Sequence, residues 1–294
     1  MLMGRLFEPT ADQFVYHYCS AESFQAILES GKLRFTDINM LNDSTEHRWG
    51  YSIFEKAATR LIKRTGISER VPTMPMEFFD AVDQVLSQGQ VIAHPFISCL
   101  SFDGNSLDQW RKYADDGRGY AIGFKASALR RLPISLLRVS YDVEEQVREM
   151  MAALVALHSR APELPLRGVA FEDAGLISAF MTALKHPSFQ SEQEVRCLRA
   201  ISLEKVGSNF SFVDRGGRGR DGVDFPGERV CYATRAGSLT AHVDIPYTLP
   251  AKECPIVEVA LGPKNGTGLG NVFLFLGSLG HASIRVRPSN LPYR

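Results

Sequence analysis

Two carboxylates stand two residues apart in the run Glu192-Gln193-Glu194. If both residues are extended, their side chains share one face of a strand. Such a pair can orient or deprotonate a reacting group, or sit against a developing positive charge. The plainer reading is a solvated turn ahead of a strand. His17 stands between Tyr16 and Tyr18. A histidine titrates near neutrality and can bind a ligand, but more often it is a packed or surface residue. Ser98 and Ser101 are three apart, so a regular strand points them to opposite faces. A joint role needs a bulge. Trp110, Arg111 and Tyr113 read as a helix face packed on a sheet, although Arg111 could pair with a phosphate. Asn42, Asp43 and Glu46 read as an Asx-turn that caps a helix. A metal site from Asp43 and Glu46 lacks a histidine cluster or third carboxylate to complete it.

Positioning these residues requires a mixed set of elements. Phe14 to Cys19 reads as a strand. Ser20 can cap a helix carrying Phe24, Ile27 and Leu28, which Gly31 is placed to end. Leu33 to Thr36 is a short strand. A helix follows with Trp49, Ile53, Ala57 and Leu61 at four-residue spacing, then another from Met76 to Leu86 ahead of Gly89. Val91 to Phe102 reads as a strand broken or bulged near Pro95. Asn105 is placed to cap the next helix, with Asp108 three residues on. Strands are expected at Tyr120 to Phe124, Leu136 to Tyr141 and Glu194 to Ile201, the last half-buried. Helices are expected at Val143 to Leu157 and Phe171 to Leu184.

Asp214 to Arg229 carries five glycines with balanced charge and reads as a mobile surface loop. Strands follow at Val230 to Ala233, Ala241 to Ile245, Ile256 to Leu261 and Ile284 to Arg287. Helices and strands do not alternate regularly. The expectation is α+β, with a mixed, largely antiparallel sheet and flanking helices. We expect a single domain over residues 1–294, with residues 207–228 as its mobile loop.

Composition narrows the function without selecting it. The chain has 294 residues, with 33 Lys+Arg against 33 Asp+Glu, so it lacks the basic excess of a general nucleic-acid binder. Hydrophobic residues make up 45% and charged ones 22%, which excludes a disordered chain and a coiled coil. No apolar run reaches the roughly 18 residues that span a bilayer, and no signal peptide is evident. A cytoplasmic protein without membrane association is expected. The five cysteines, Cys19, Cys99, Cys197, Cys231 and Cys254, form no C-x-x-C pair and read as small core residues. Gly266-Thr-Gly268-Leu-Gly270 lacks the spacing of a dinucleotide loop. Arg215, Arg218, Arg220 and Arg229 are diluted by nearby acids.

Several segments, taken in order, resemble a bacterial family known only as domain of unknown function 2971. They are Tyr16-His-Tyr18 with Gly31-Lys-Leu-Arg-Phe35, the turn Leu41-Asn-Asp-Ser-Thr-Glu46, and Ile97-Ser-Cys-Leu-Ser-Phe102. Gln109-Trp-Arg-Lys-Tyr-Ala114, Gly119-Tyr-Ala-Ile-Gly-Phe124 and Glu192-Gln-Glu-Val-Arg196 follow. Glu258-Val-Ala-Leu-Gly-Pro263 and Ser289-Asn-Leu-Pro-Tyr-Arg294 complete the set. The order is similar to that of the ADP-ribosyltransferase fold, with its split sheet. Those enzymes carry a first-strand Arg or His, a Ser-rich or Tyr-bearing central strand, and a late Glu, often within E-x-E.

That resemblance implies NAD as substrate and a protein or nucleic-acid acceptor, in a toxin or phage-defence setting. Breaking the bond between nicotinamide and ribose passes through an oxocarbenium-like transition state, for which a nearby carboxylate is useful. Glu194 is the implied catalytic acid and Glu192 its helper. His17, Ser98, Tyr113, Tyr120 and Arg111 are the implied NAD contacts. A non-enzymatic interaction module is the alternative, with a metal-dependent nuclease using Asp43, Glu46 and Glu194 behind it.

Overall fold

Val15 and Cys19 alternate inward along β1 (Phe14–Cys19) and are buried. The Ser20 hydroxyl accepts from the Ser23 N–H at 3.3 Å and so caps α1 (Ala21–Ser30). Gly31 ends that helix at φ 64°, in the left-handed region, where its N–H reaches the Ile27 carbonyl. Phe24, Ile27 and Leu28 form the buried stripe. Burying each of these side chains stabilises the fold by about 1.5–3 kcal/mol.

The computed structural model describes residues 5–38, 45–160, 176–235, 237–249 and 253–293, with side chains at 45–47, 87–93, 206 and 235 excepted. After β2 (Lys32–Asp37) come α2 (Thr45–Lys63), α3 (Met76–Ile92), β3 (Ala93–Ser101), α4 (Leu107–Tyr113), β4 (Tyr120–Lys125), α5 (Ala126–Leu129) and β5 (Ser135–Arg138). Next are α6 (Val143–Arg160), the helical residues 176–181 as α7, and a 3-10 turn, Pro187–Glu192. The remaining elements are β6 (Glu194–Val206), β7 (Asn209–Val213), β8 (Gly217–Arg218), β9 (Asp224–Phe225), β10 (Val230–Arg235), β11 (Ser238–Pro246), β12 (Ile256–Leu261), α8 (Leu269–Ser278) and β13 (Arg285–Pro288).

The protein is α+β, with a mixed, mostly antiparallel sheet. Among the described residues eleven strands join one sheet whose main path runs β10-β11-β2-β3-β1-β4-β12-β13, with β6 branching from β3 and carrying β5 and β7. The β12–β13 pair is parallel. One edge of β3 pairs with β6 without a break, from Ala93↔Ser202 to Ser101↔Glu194. Its other edge is shared. β2 meets it at Phe96 and Ile97, and β1 meets it at Ser101. Between those points the sheet splits, and Ser98, Cys99 and Leu100 pair with neither strand.

The main core lies on one face of the sheet, and four helices form a second core among themselves. α1, α5 and α8 cover one face through Phe24, Leu129, Val272 and Leu276, packed with Val15, Phe96, Ile122 and Cys197. α2, α3, α6 and α7 make a helical core of their own around Ile53, Phe78, Val82, Met150, Leu154 and Phe180. Ala183 joins the opposite sheet face, beside Ile97, Leu137 and Leu198.

Several local expectations change. The β3–β6 register runs straight through Pro95↔Ala200, with no bulge. On the other edge the β2 ladder covers only Phe96 and Ile97, which leaves an edge open for a residue lacking an N–H. Ser106, not Asn105, caps α4, accepting from Gln109 N at 3.5 Å. Asn105 instead takes the Trp110 indole N–H at 3.1 Å and the Ser289 hydroxyl at 2.6 Å, tying α4 to the C-terminal segment. α3 continues past Gly89 to Ile92. α8, absent from the sequence reading, carries exposed Phe273 and Leu274, which hide the usual amphipathic pattern.

The segment 207–228, expected as a loop, holds β7 and the small β8–β9 hairpin. Its base is tied by Asp214, whose carboxylate accepts from Arg199 Nε at 2.9 Å and Arg199 Nη2 at 2.7 Å. The same carboxylate takes the N–H groups of Gly216 at 3.1 Å and Glu228 at 3.0 Å. Gly227 is required there, because a Cβ would lie 1.8 Å from the Asp214 carbonyl oxygen. Cys99 is exposed rather than a core residue, since it lies at the split. Among the described residues no helix is long and apolar enough to cross a membrane.

Candidate functional site

Glu192 and Glu194 are not a solvated turn. They are 2% and 4% exposed. Nor are both extended: Glu192 ends the 3-10 turn, and Gln193 sits in the left-handed region at φ 44°, ψ 51°. That kink still converges the two carboxylates. Lys185 Nζ donates to Glu192 Oε2 at 2.6 Å and to Glu194 Oε2 at 2.9 Å. Arg196 holds Glu194 from the same strand, Nε to Oε1 at 2.8 Å and Nη2 to Oε2 at 3.1 Å. Glu192 Oε1 accepts from Lys112 Nζ at 3.1 Å and Tyr113 OH at 3.2 Å.

The backbone around this cluster is pinned by other elements. Gln146 on α6 is fully buried and donates through Nε2 to the carbonyls of Ser140 (2.7 Å) and Lys185 (2.8 Å). Its Oε1 takes the Trp49 indole N–H at 3.0 Å, so α2 and α6 together fix the base of Lys185. Tyr141 OH accepts from Glu194 N at 2.9 Å, and Ser101 Oγ donates to the Glu192 carbonyl at 2.8 Å. The Phe189 ring lies under two ammonium groups, Lys185 at 5.0 Å and Lys112 at 5.4 Å.

Burial alone pushes the Glu194 carboxyl upward, but the charges of Arg196 and Lys185 outweigh it and hold the group well below the usual carboxylate range. A hydrogen bond from the Cys99 thiol adds to that. Burial and then the Glu192 charge push the Tyr113 phenol up. Burial and the Glu194 charge do the same to Tyr141. Two carboxylates here face three cations, Lys112, Lys185 and Arg196, so the cluster carries surplus positive charge.

His17 lies elsewhere. It alternates with Tyr16 and shares a face of β1 with Val15 and Cys19, both in the main core. Glu194 and Arg196 share the opposite sheet face with Leu198, while Val195 and Cys197 point to that main core. The His17 Nδ1 lies 3.1 Å from the Cys99 carbonyl, so the ring caps a backbone acceptor that the split leaves without a strand. Burial lowers its pKa, and the bond to Cys99 opposes that only in part. Ser98 faces the same core as Phe96 and Leu100, with its buried Oγ lacking a hydrogen-bond partner. Cys99 and Ser101 face Glu194 and Arg196 instead.

The structure therefore brings together Glu192, Glu194 and Tyr113, and separates them from His17 and Ser98 by the sheet. Tyr120 stacks on Phe24 at 4.1 Å in the main core and bonds Thr267 at 3.0 Å. Arg111 lies over the Tyr293 ring at 5.9 Å. Asp43 is outside the described residues, as is the Glu46 side chain. No group of three or more His, Cys, Asp or Glu among the described residues could hold a metal ion.

Lys185, Lys112, Tyr141, Arg196 and Cys99 complete the site but were not singled out as site residues from the sequence. Arg196 read as the wet side of a half-buried strand, yet it is 1% exposed. A signal existed: Lys185 precedes Glu192 by seven residues, across a turn that opens on Pro187. A second acid site shows the same pattern. Glu258, 2% exposed, is gripped by Arg285 and Arg287 next to Tyr16.

The comparison with known families falls on this cluster. A family model described as a protein of unknown function (DUF2971) matches residues 109–197. The chain resembles that family there. The matched segment contains Lys112, Tyr113, Tyr141, Lys185, Glu192, Glu194 and Arg196, and leaves out His17 and Ser98. No curated protein and no solved structure matches the chain.

Proposed function

We propose that the Glu192–Lys185–Glu194 cluster is the centre of an NAD-binding, ADP-ribosyltransferase-like site. One observation carries this reading: a single lysine gathers two buried carboxylates at the start of β6, on the unbroken edge of β3. Cleaving NAD breaks the bond from ribose C1 to the nicotinamide nitrogen, and the electron pair leaves with nicotinamide. The sugar carbon turns positive, so an acid that stays ionised throughout the working pH range suits the role of Glu194. Glu192 would orient the acceptor. The surplus cation, with Lys112 as its half-exposed member, suits the diphosphate of NAD. An effector acting on protein or nucleic acid is the setting this chemistry fits.

The test is a thermal shift with NAD. Saturation at 100 times the dissociation constant stabilises by about 2.7 kcal/mol. Wild type should shift and Lys112→Met should shift less. An unchanged melting curve for wild type sinks the reading.

A second reading has its own support. Both oxygens of Glu194 are engaged by Arg196 and Lys185, as in a purely structural ion network. In that case the protein is a non-enzymatic interaction module. It then ignores NAD, while Glu194→Gln still lowers stability.

A further inference from the structure

An open groove of about 420 Å³ lies where β1 begins, β3 and β5 end and β6 begins. Asp12, Gln13, Tyr16, Phe102, Arg138 and Gln193 form its walls. The volume falls in the range of small-molecule sites. One carboxylate and one guanidinium balance the charge of the walls. The two amides each offer donors and an acceptor. Phe14, Tyr16 and Phe102 bring aromatic rings to the walls; Tyr16 lies against Gly104, Phe102 packs on Phe7, and the Arg138 guanidinium sits 5.7 Å from the Phe102 ring centre.

Gln193 joins this groove to the acid cluster. It is a non-glycine residue at φ 44°, a conformation that L side chains enter at a cost. The Glu192 and Glu194 carboxylates meet on Lys185, while the intervening Gln193 lines the groove. Its side chain is exposed.

A neutral planar ring with donors and acceptors on its edge matches the amides and ring faces. An attached anion matches Arg138, whose planar fork suits phosphate. We propose that this groove binds a nucleobase carrying a phosphate, as a free mononucleotide or as one unit of a single-stranded nucleic acid. The base stacks on an aromatic wall with its edge on Gln193, and Arg138 takes the phosphate. The proposal does not rest on NAD turnover. A protein that binds AMP here and leaves NAD intact supports the groove and contradicts the first reading above.

Titration calorimetry with AMP, adenosine, ribose 5-phosphate and hexadeoxyadenylate tests it. AMP or hexadeoxyadenylate should saturate one site, and whichever binds more tightly identifies the source of the nucleotide. Arg138→Ala should weaken AMP about tenfold and leave adenosine unchanged. Gln193→Gly should weaken both about tenfold while keeping or raising the melting temperature, since glycine accepts the left-handed conformation. Three results overturn the proposal: no saturation by AMP or hexadeoxyadenylate up to ~10 mM, ribose 5-phosphate binding as tightly as AMP, or unchanged affinities in both variants.

Discussion

Arg196 grips Glu194 two residues back along the same strand, contacting both carboxylate oxygens at 2.8 and 3.1 Å. Both residues are buried, so each is the other's main compensation for leaving water. Lys185 adds a second cation to the same carboxylate at 2.9 Å.

Removing one member of that buried set should be costly. Arg196→Ala and Lys185→Met should each lower unfolding free energy by about 3–5 kcal/mol. Lys112→Met should cost below about 1 kcal/mol, because its side chain is 44% exposed. Urea unfolding of the three variants checks the ranking. Equal losses for Lys112 and Lys185 would contradict the burial argument.

Acid should weaken the fold in two stages. His17 has a lowered folded pKa, so its neutral form is the native one. Its contribution is complete above the unfolded value of about 6.5 and is lost as pH falls toward the folded pKa. Glu194 is also lowered, so its contribution is present above about 4.3 and lost as pH falls further. Melting temperature against pH should flatten in the upper window for His17→Gln and in the lower one for Glu194→Gln. An unaltered profile in either variant removes that residue from the account.

Asp214 should govern the glycine-rich segment. Asp214→Ala leaves Arg199, 5% exposed, without its carboxylate and frees the N–H groups of Gly216 and Glu228. A loss of about 3–5 kcal/mol is expected. Limited proteolysis should cut between 214 and 229 earlier than in wild type. Cleavage elsewhere, at the wild-type rate, would show that Asp214 is not the tether.

Much of this fold follows local rules a sequence carries. Ser20, Gly31 and the Phe24-Ile27-Leu28 stripe define α1 by themselves. The alternation of β1 likewise requires no distant partner. The site was legible in its acids but not in its cations. Arg196 and Arg199, which parity puts on opposite faces, both looked solvated because a charge in the pattern cannot distinguish water from a buried partner. Glu194, two residues back, and Asp214, beyond β7, neutralise them, and only the tertiary fold buries these pairs and brings Lys185 to Glu194. His17 misled for a related reason. Its order along the chain suited the pattern, but strand parity put it on the opposite face from Glu194.

The central claim is that the acid cluster on β6 acts on NAD. Nicotinamide release from NAD, followed by chromatography with wild type and with Glu194→Gln, measures it most directly. A cooperative melting curve establishes that Glu194→Gln is folded, and labelled protein or nucleic acid reports the acceptor. Release by wild type that falls by about 100-fold or more in Glu194→Gln is the predicted result. Release that is absent from wild type, or equal in the folded Glu194→Gln variant, contradicts the account and leaves the cluster as a structural ion network.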